Sequence, residues 1–147
     1  MKTIIIYTDG GSRGNPGPSA MGVVICEGDG HVVKEYSEYL SDKATNNEAE
    51  YHAAIFALTK LRALYGKKSA ESTIVELRSD SELMVKQLDG KYKIIEPRIA
   101  ELFLKIWNLK IDFSKVTFKL IPREDNKNAD RLVNEALDHK GRERRLL

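Results

Sequence analysis

The order in which strand-like and helix-like segments alternate constrains this chain more than any other feature. Three runs rich in β-branched and aromatic residues, IIIYTD, AMGVVICE and HVVKEYSEYL, are separated only by the Gly- and Pro-rich GGSRGNPGPS and the short GDG. Each later strand-like run is reached through a stretch with helical spacing. Strands joined by tight turns pair antiparallel, and strands joined through helices return far enough to pair parallel. The order β β β α β α α β α therefore predicts a mixed five-stranded α/β sheet, an antiparallel meander of strands 1–3 continued by parallel strands 4 and 5, with helices flanking it.

Most of the helices carry a start or stop signal. Thr45 with Glu48 three positions on predicts a capping box, and Ala53, Ala54, Ala57, Leu58, Leu61 and Leu64 supply an apolar face that ends near Gly66. STIVELRSD reads as the fourth strand and SELMVKQLDG as a short helix closed by Gly90. Pro97 opens a helix bearing Ile99, Leu102, Phe103, Ile106 and Leu109. KVTFKLI alternates as the fifth strand and NADRLVNEALDH forms the last helix, with the charged GRERRLL expected as a frayed end. The expected division is one domain over 1–139 and a basic tail over 140–147.

A length of 147 residues suits one core, and a hydrophobic share of 41% excludes wholesale disorder. The apolar runs Ile4 to Ile6 and Met21 to Cys26 fall far short of the ~18 residues of a membrane span. Asp9 arrives too early for a signal-peptide core, and the lone Cys26 reads as a small buried hydrophobe, so a cytoplasmic protein is expected. Net charge is +2, but Lys140, Arg142, Arg144 and Arg145 against Glu143 concentrate positive charge in the tail. The nearly neutral body excludes a purely electrostatic DNA binder; any nucleic-acid contact has to be local and shaped. No membrane and no obligate protein partner is implied, and a monomer is expected.

Open α/β sheets bind ligands beyond the carboxyl ends of their strands. Asp9 and Asp80 each follow an apolar strand run and are expected at that edge. Glu50, in the first turn of the long helix, has the small apolar Ala53, Ala54 and Ala57 on its own side and therefore faces the sheet. Asp130, early in the last helix, has Val133 and Leu137 at i+3 and i+7 and is expected on the apolar stripe. Asp80 has a second reading, as the cap of the helix beginning at Ser81. Four carboxylates drawn together raise one another's pKa and destabilise the fold unless cations offset them. Two divalent ions balance four carboxylates, and an all-oxygen donor set suits Mg²⁺, with Mn²⁺ able to substitute, better than zinc. Two-metal phosphoryl transfer uses such a site.

The segments YTDGGSRGNPGP, TNNEAE, SDSELMVKQL and PREDNKNADRLVNEAL resemble, in order and spacing, the four signature segments of the ribonuclease HI family, over nearly the whole chain. The resemblance implies a ribonuclease H-like fold and hydrolysis of the RNA strand of RNA/DNA hybrids by two-metal-ion catalysis, giving 5′-phosphate and 3′-hydroxyl ends. It implies that Asp9, Glu50, Asp80 and Asp130 are the catalytic and metal-binding acids, with Asp9 bridging the ions; Glu48 falls outside the T-N-N-x-x-E spacing. It also places Gly10, Gly11, Ser12, Asn15, Thr45, Asn46 and Asn47 against the hybrid, with Asn15 and Asn47 in the minor groove. Backbone groups and short amides can read 2′-hydroxyls there without sequence preference. Asn46 has an equal reading as a helix-start residue.

Some positions depart from the family pattern. Glu82 stands at a substrate-contact position where many members carry glutamine, and PREDN lacks the histidine that many members place before the last acid. His31, His52 and His139 are assigned no catalytic role. The segment around Lys86, Lys91, Lys93 and Arg98 passes quickly into the next helix, so this form is expected to lack the basic protrusion of some members. A serine-hydrolase reading of Gly10 to Gly14 as G-x-S-x-G around Ser12 fails because the segment leads into another strand rather than a helix. No G-K-[ST] follows the glycines, which excludes a P-loop.

Overall fold

A computed structural model describes residues 1–146 of the chain. Strands β1 (Lys2–Ser12), β2 (Gly17–Glu27) and β3 (Val32–Ala44) form the antiparallel meander. Strands β4 (Thr73–Ser79) and β5 (Lys115–Leu120) complete the sheet in the order β3-β2-β1-β4-β5, with β4 parallel to both neighbours. Helices α1 (Asn46–Glu71), α2 (Glu82–Leu88), α3 (Pro97–Lys110) and α4 (Lys127–Leu146) flank it. The central β1 thus receives β2 through a tight turn on one side and β4 through α1 on the other, as the order of segments predicts.

Alternation along the strands builds a different core on each face. Ile4, Ile6, Val23, Ile25, Val75, Leu77 and Phe118 pack with Tyr51, Leu58 and Leu61 of α1 and with Ile99, Leu102 and Ile106 of α3. On the other face Ala20, Val24 and Cys26 meet Leu132, Val133 and Leu137 of α4. The first core holds most of the large buried side chains, each contributing about 1.5–3 kcal/mol, so it carries most of the apolar stabilisation. The close seat of α4 depends on Gly22, where a Cβ would stand 2.1 Å from the Ala129 carbonyl oxygen. On β4 the same face is finished by polar groups: Arg78 pairs with Glu76 at 2.6 Å and donates to the Tyr7 hydroxyl at 2.8 Å.

Three boundaries differ from expectation. First, β1 does not end at Asp9; Gly10, Gly11 and Ser12 continue it by pairing with Met21, Ala20 and Ser19, so the connecting loop is only residues 13–16. Second, α1 does break at Gly66, whose φ of 80° is left-handed, but helical turns resume and carry the chain to Glu71. Third, helix α4 does not stop at residue 139; it runs through Gly141 to Leu146 with its final turns against β3, where Arg144 pairs with Asp42 and Lys140 sits 5.2 Å over the Tyr39 ring. Leu147, the end of the segment expected to fray, lies outside the described residues. Cys26 is buried as expected, and no helix among the described residues is long and apolar enough to cross a membrane.

Candidate active site

Parallel pairing of β1 with β4 ends at Tyr7 and Arg78, and Asp9 and Asp80 each stand two residues beyond that pair. Register alone therefore brings both carboxylates to one edge of the sheet. Glu50 arrives from α1, which the Thr45 cap positions: the Thr45 hydroxyl accepts from the Glu48 N–H at 3.1 Å, and the Glu48 carboxylate accepts from the Thr45 N–H at 3.2 Å. The helix start lies so close to β1 that a Cβ on Gly10 would meet the Ala49 carbonyl carbon and oxygen at 2.2 Å. At this contact the Gly10 N–H donates to Glu50 Oε1 at 2.8 Å and fixes the carboxylate. One oxygen from each of Asp9, Glu50 and Asp80 lies within 4.8 Å of the others.

Asp130 departs from its expected placement. Ala129, Leu132 and Val133 take the buried face of α4, and Asp130, about 100° round the helix from Ala129, is exposed. It nevertheless lines the same cavity of about 370 Å³ as the other three acids, and its charge is among those that raise the Asp9 carboxyl. Asp80 does not cap α2; Ser81 does, accepting from the Met84 N–H at 3.2 Å, which leaves Asp80 for the cavity.

Proximity has an electrostatic cost. Burial, followed by the charges of Asp80 and Asp130, pushes the Asp9 carboxyl up to about 8. Glu50 is raised well above the ordinary glutamate value by burial and then by Asp9 and Asp80, against the opposing Gly10 N–H. Asp80 is raised by burial, with the Asn126 amide and the Arg123 charge pulling the other way. Without a cation, such a cluster holds protons at neutral pH; with a divalent ion its all-oxygen donor set is free to ionise. The residues fit a hard cation.

Residues read from the sequence as substrate contacts divide into two groups. Gly10, Gly11, Ser12 and Asn46 share the cavity with the acids. Asn15, Thr45, Asn47 and Glu82 do not line it: Asn15 Oδ1 accepts from the Asn46 N–H at 2.9 Å, Asn47 lines a neighbouring groove with Gln87 and Lys93, and exposed Glu82 accepts from the Tyr92 hydroxyl at 3.3 Å. Asn46 begins α1 and its side chain holds the end of β1, accepting from the Ser12 N–H at 2.9 Å and hydroxyl at 3.2 Å. That bond places Ser12 on a strand beside an amide, not on a nucleophile elbow.

Two residues with work at the site were missed in the sequence. Asn126, 1% exposed, donates from Nδ2 to the Thr8 carbonyl at 2.9 Å and to Asp80 at 3.5 Å, while its backbone carbonyl accepts from the Asp130 N–H at 3.1 Å. It thereby ties together the elements that carry Asp9, Asp80 and Asp130. An asparagine directly before a helix was the available signal, though it reads as an ordinary cap. Arg123 lines the cavity and its charge favours ionised Glu50 and Asp80, from the loop where the histidine is missing.

Residues 7–136 match a family model described as reverse transcriptase-like. Ribonuclease HI of Halobacterium salinarum is 42% identical over 132 residues, which are 90% of this chain and 63% of that protein. A bifunctional protein of Mycobacterium tuberculosis is 36% identical over 135 residues, 92% of this chain and 35% of its own length. The chain thus spans about a third of the mycobacterial relative. Among solved structures, LC11-RNase H1 isolated from compost is 49% identical, with a TM-score of 0.87 and coverage of 95% of this chain and 99% of that one. Its complex with an RNA/DNA hybrid superposes with a TM-score of 0.88 at 48% identity, covering 93% and 98% of the two chains. With the sheet order, the acid-lined cavity and end-to-end similarity in agreement, the chain belongs to the ribonuclease HI family.

Proposed function

We propose that this chain hydrolyses the RNA strand of RNA/DNA hybrids with two Mg²⁺ ions, replaceable by Mn²⁺, held by Asp9, Glu50, Asp80 and Asp130, leaving 5′-phosphate and 3′-hydroxyl ends. The observation that carries the reading is the convergence of Asp9, Glu50 and Asp80 within 4.8 Å at a cavity that Asp130 also lines. When bound, divalent ions supply positive charge and Lewis acidity, the two things a phosphodiester hydrolysis needs from such a cluster. The protein's own residues set its shape. The Gly10 N–H fixes Glu50, Asn126 orients Asp80, and Arg123 adds a cation beside them. Gly11 and Ser12, half-buried in the cavity wall next to the acids, set backbone groups beside the place where 2′-hydroxyls of a minor groove would lie, which favours an RNA-containing duplex. The hybrid-bound LC11 enzyme, similar over 93% of this chain, supports the same substrate class.

One assay tests the reading: a hybrid labelled on either strand, beside single-stranded RNA and duplex DNA, with Mg²⁺ or with EDTA. Cleavage confined to the RNA strand of the hybrid and abolished by EDTA is expected. Equal cutting of the DNA strand, or full activity in EDTA, contradicts it.

A further inference from the structure

We propose that Arg13 is a substrate-positioning residue that takes a backbone phosphate of the bound hybrid, and that Asp138 holds it in reserve until the hybrid arrives. The proposal rests on the hybrid reading above. Arg13 and Arg123 are the two cations in the wall of the acid cavity. Arg123 acts on the acids themselves, whereas Arg13 reaches from the β1–β2 loop to α4, its Nη2 2.7 Å from the Asp138 carboxylate and 3.3 Å from Asn134 Oδ1.

Its backbone is fixed, and its side chain is open to water. The Arg13 N–H donates to the Pro18 carbonyl at 2.8 Å, and Gly17 packs so tightly that a Cβ there would stand 2.4 Å from the Arg13 carbonyl oxygen. The Arg13 side chain is 48% exposed and that of Asp138 52%. An ion pair this open to water contributes little, while a guanidinium holds a phosphate through two parallel bonds, so exchanging one anion for the other costs little. Asp138 lies eight residues beyond Asp130, about 12 Å along the helix. The phosphate Arg13 would meet is therefore one farther along the strand than the bond being cut. Asp138 therefore competes with such a phosphate for the guanidinium.

The test is hybrid affinity in EDTA, from 50 to 200 mM salt, for the full chain and for Arg13→Ala, Arg13→Lys, Asp138→Asn and Arg13→Ala with Asp138→Asn. Arg13→Ala is expected to weaken binding and lower the salt slope by about one, so that its deficit shrinks about fourfold across that range. Arg13→Lys should keep the parental slope. Asp138→Asn should bind more tightly than the parent, and this gain should vanish in the Arg13→Ala background. Three results overturn the proposal: Asp138→Asn weakening binding as Arg13→Ala does, which marks a structural clamp; a gain that persists without Arg13, which marks simple repulsion; or no change in any variant. Melting curves identify a misfolded variant, and if Arg13→Ala is one, Arg13→Lys and Asp138→Asn decide. A parent chain that neither binds hybrid nor cuts its RNA strand refutes the functional reading instead.

Discussion

Glu48 and Glu50, one residue apart, do different work because one helical register turns them to different neighbours. Glu48 closes the capping box with Thr45 and stands 3.6 Å from Arg98, while Glu50 is held at the cavity by the Gly10 N–H. Glu48→Ala is expected to cost about 0.5–2 kcal/mol of stability and to leave most hybrid cleavage intact. Glu50→Gln keeps the shape and removes the charge; it should fold normally and lose single-turnover cleavage by orders of magnitude. Melting and single-turnover rates of the two variants check this, and exchanged phenotypes would mean the register assignment is wrong. Gly10→Ala is a third case: overpacking costs about 1–3 kcal/mol or more, and a Cβ 2.2 Å from backbone atoms belongs at the upper end, so urea unfolding should show a large loss. The resemblance places Gly10 against the hybrid; in the structure it lines the acid cavity and its missing Cβ makes room for the start of helix α1. Glu50 and Asp80 were legible because helical register and the end of a strand are local properties; Asp9 reaches the same edge although its strand runs on, because the pairing of β1 with β4 stops at Tyr7. Asn126 and Arg123 were not, since their importance comes from partners more than forty residues away or from a cavity that only the fold creates.

At the level of elements, β1 and α4 show how far local signals reach. The five strands and the order of helices follow from alternation, caps and Pro97, all of which act within a few residues. The continuation of β1 past Asp9 depends instead on pairing with β2, and the continuation of α4 past Gly141 on packing against β3. A glycine beyond a helical stretch reads as a stop signal, which tertiary contact here overrides. Deleting residues from 140 onward should therefore lower the melting temperature, because Arg144 leaves Asp42 and Lys140 leaves the Tyr39 ring. The same deletion removes three net positive charges and should weaken hybrid binding modestly, with a flatter salt dependence, while cleavage of saturating hybrid persists. Loss of single-turnover cleavage in the truncated chain would show that the end of α4 supports the site itself.

Across the molecule, clustered carboxylates make stability depend on pH and on cations together. Asp9 is pushed up to about 8 in the folded chain, against ~3.9 for a free aspartate, so folding takes up a proton in between. The stability contributed by protonated Asp9 is fully present below about pH 4 and is lost as pH rises through about 8. Glu50 and Asp80 are shifted in the same direction. Metal-free protein should therefore melt at progressively lower temperature from pH 5 to pH 8, and Mg²⁺ should restore most at the alkaline end, where the ligands are ionised. A site filled to about 100 times its Kd adds about 2.7 kcal/mol.

The melting temperature at pH 8 across a Mg²⁺ titration, for the parent and for Asp9→Asn, tests the shared acidic site most directly. The parent should rise over the same concentrations that support hybrid cleavage. Asp9→Asn should start at or above the metal-free parent and rise less. A parent melting temperature indifferent to Mg²⁺ at concentrations that sustain cleavage, or an equal rise in both proteins, would contradict the assignment of Asp9 to a common metal site.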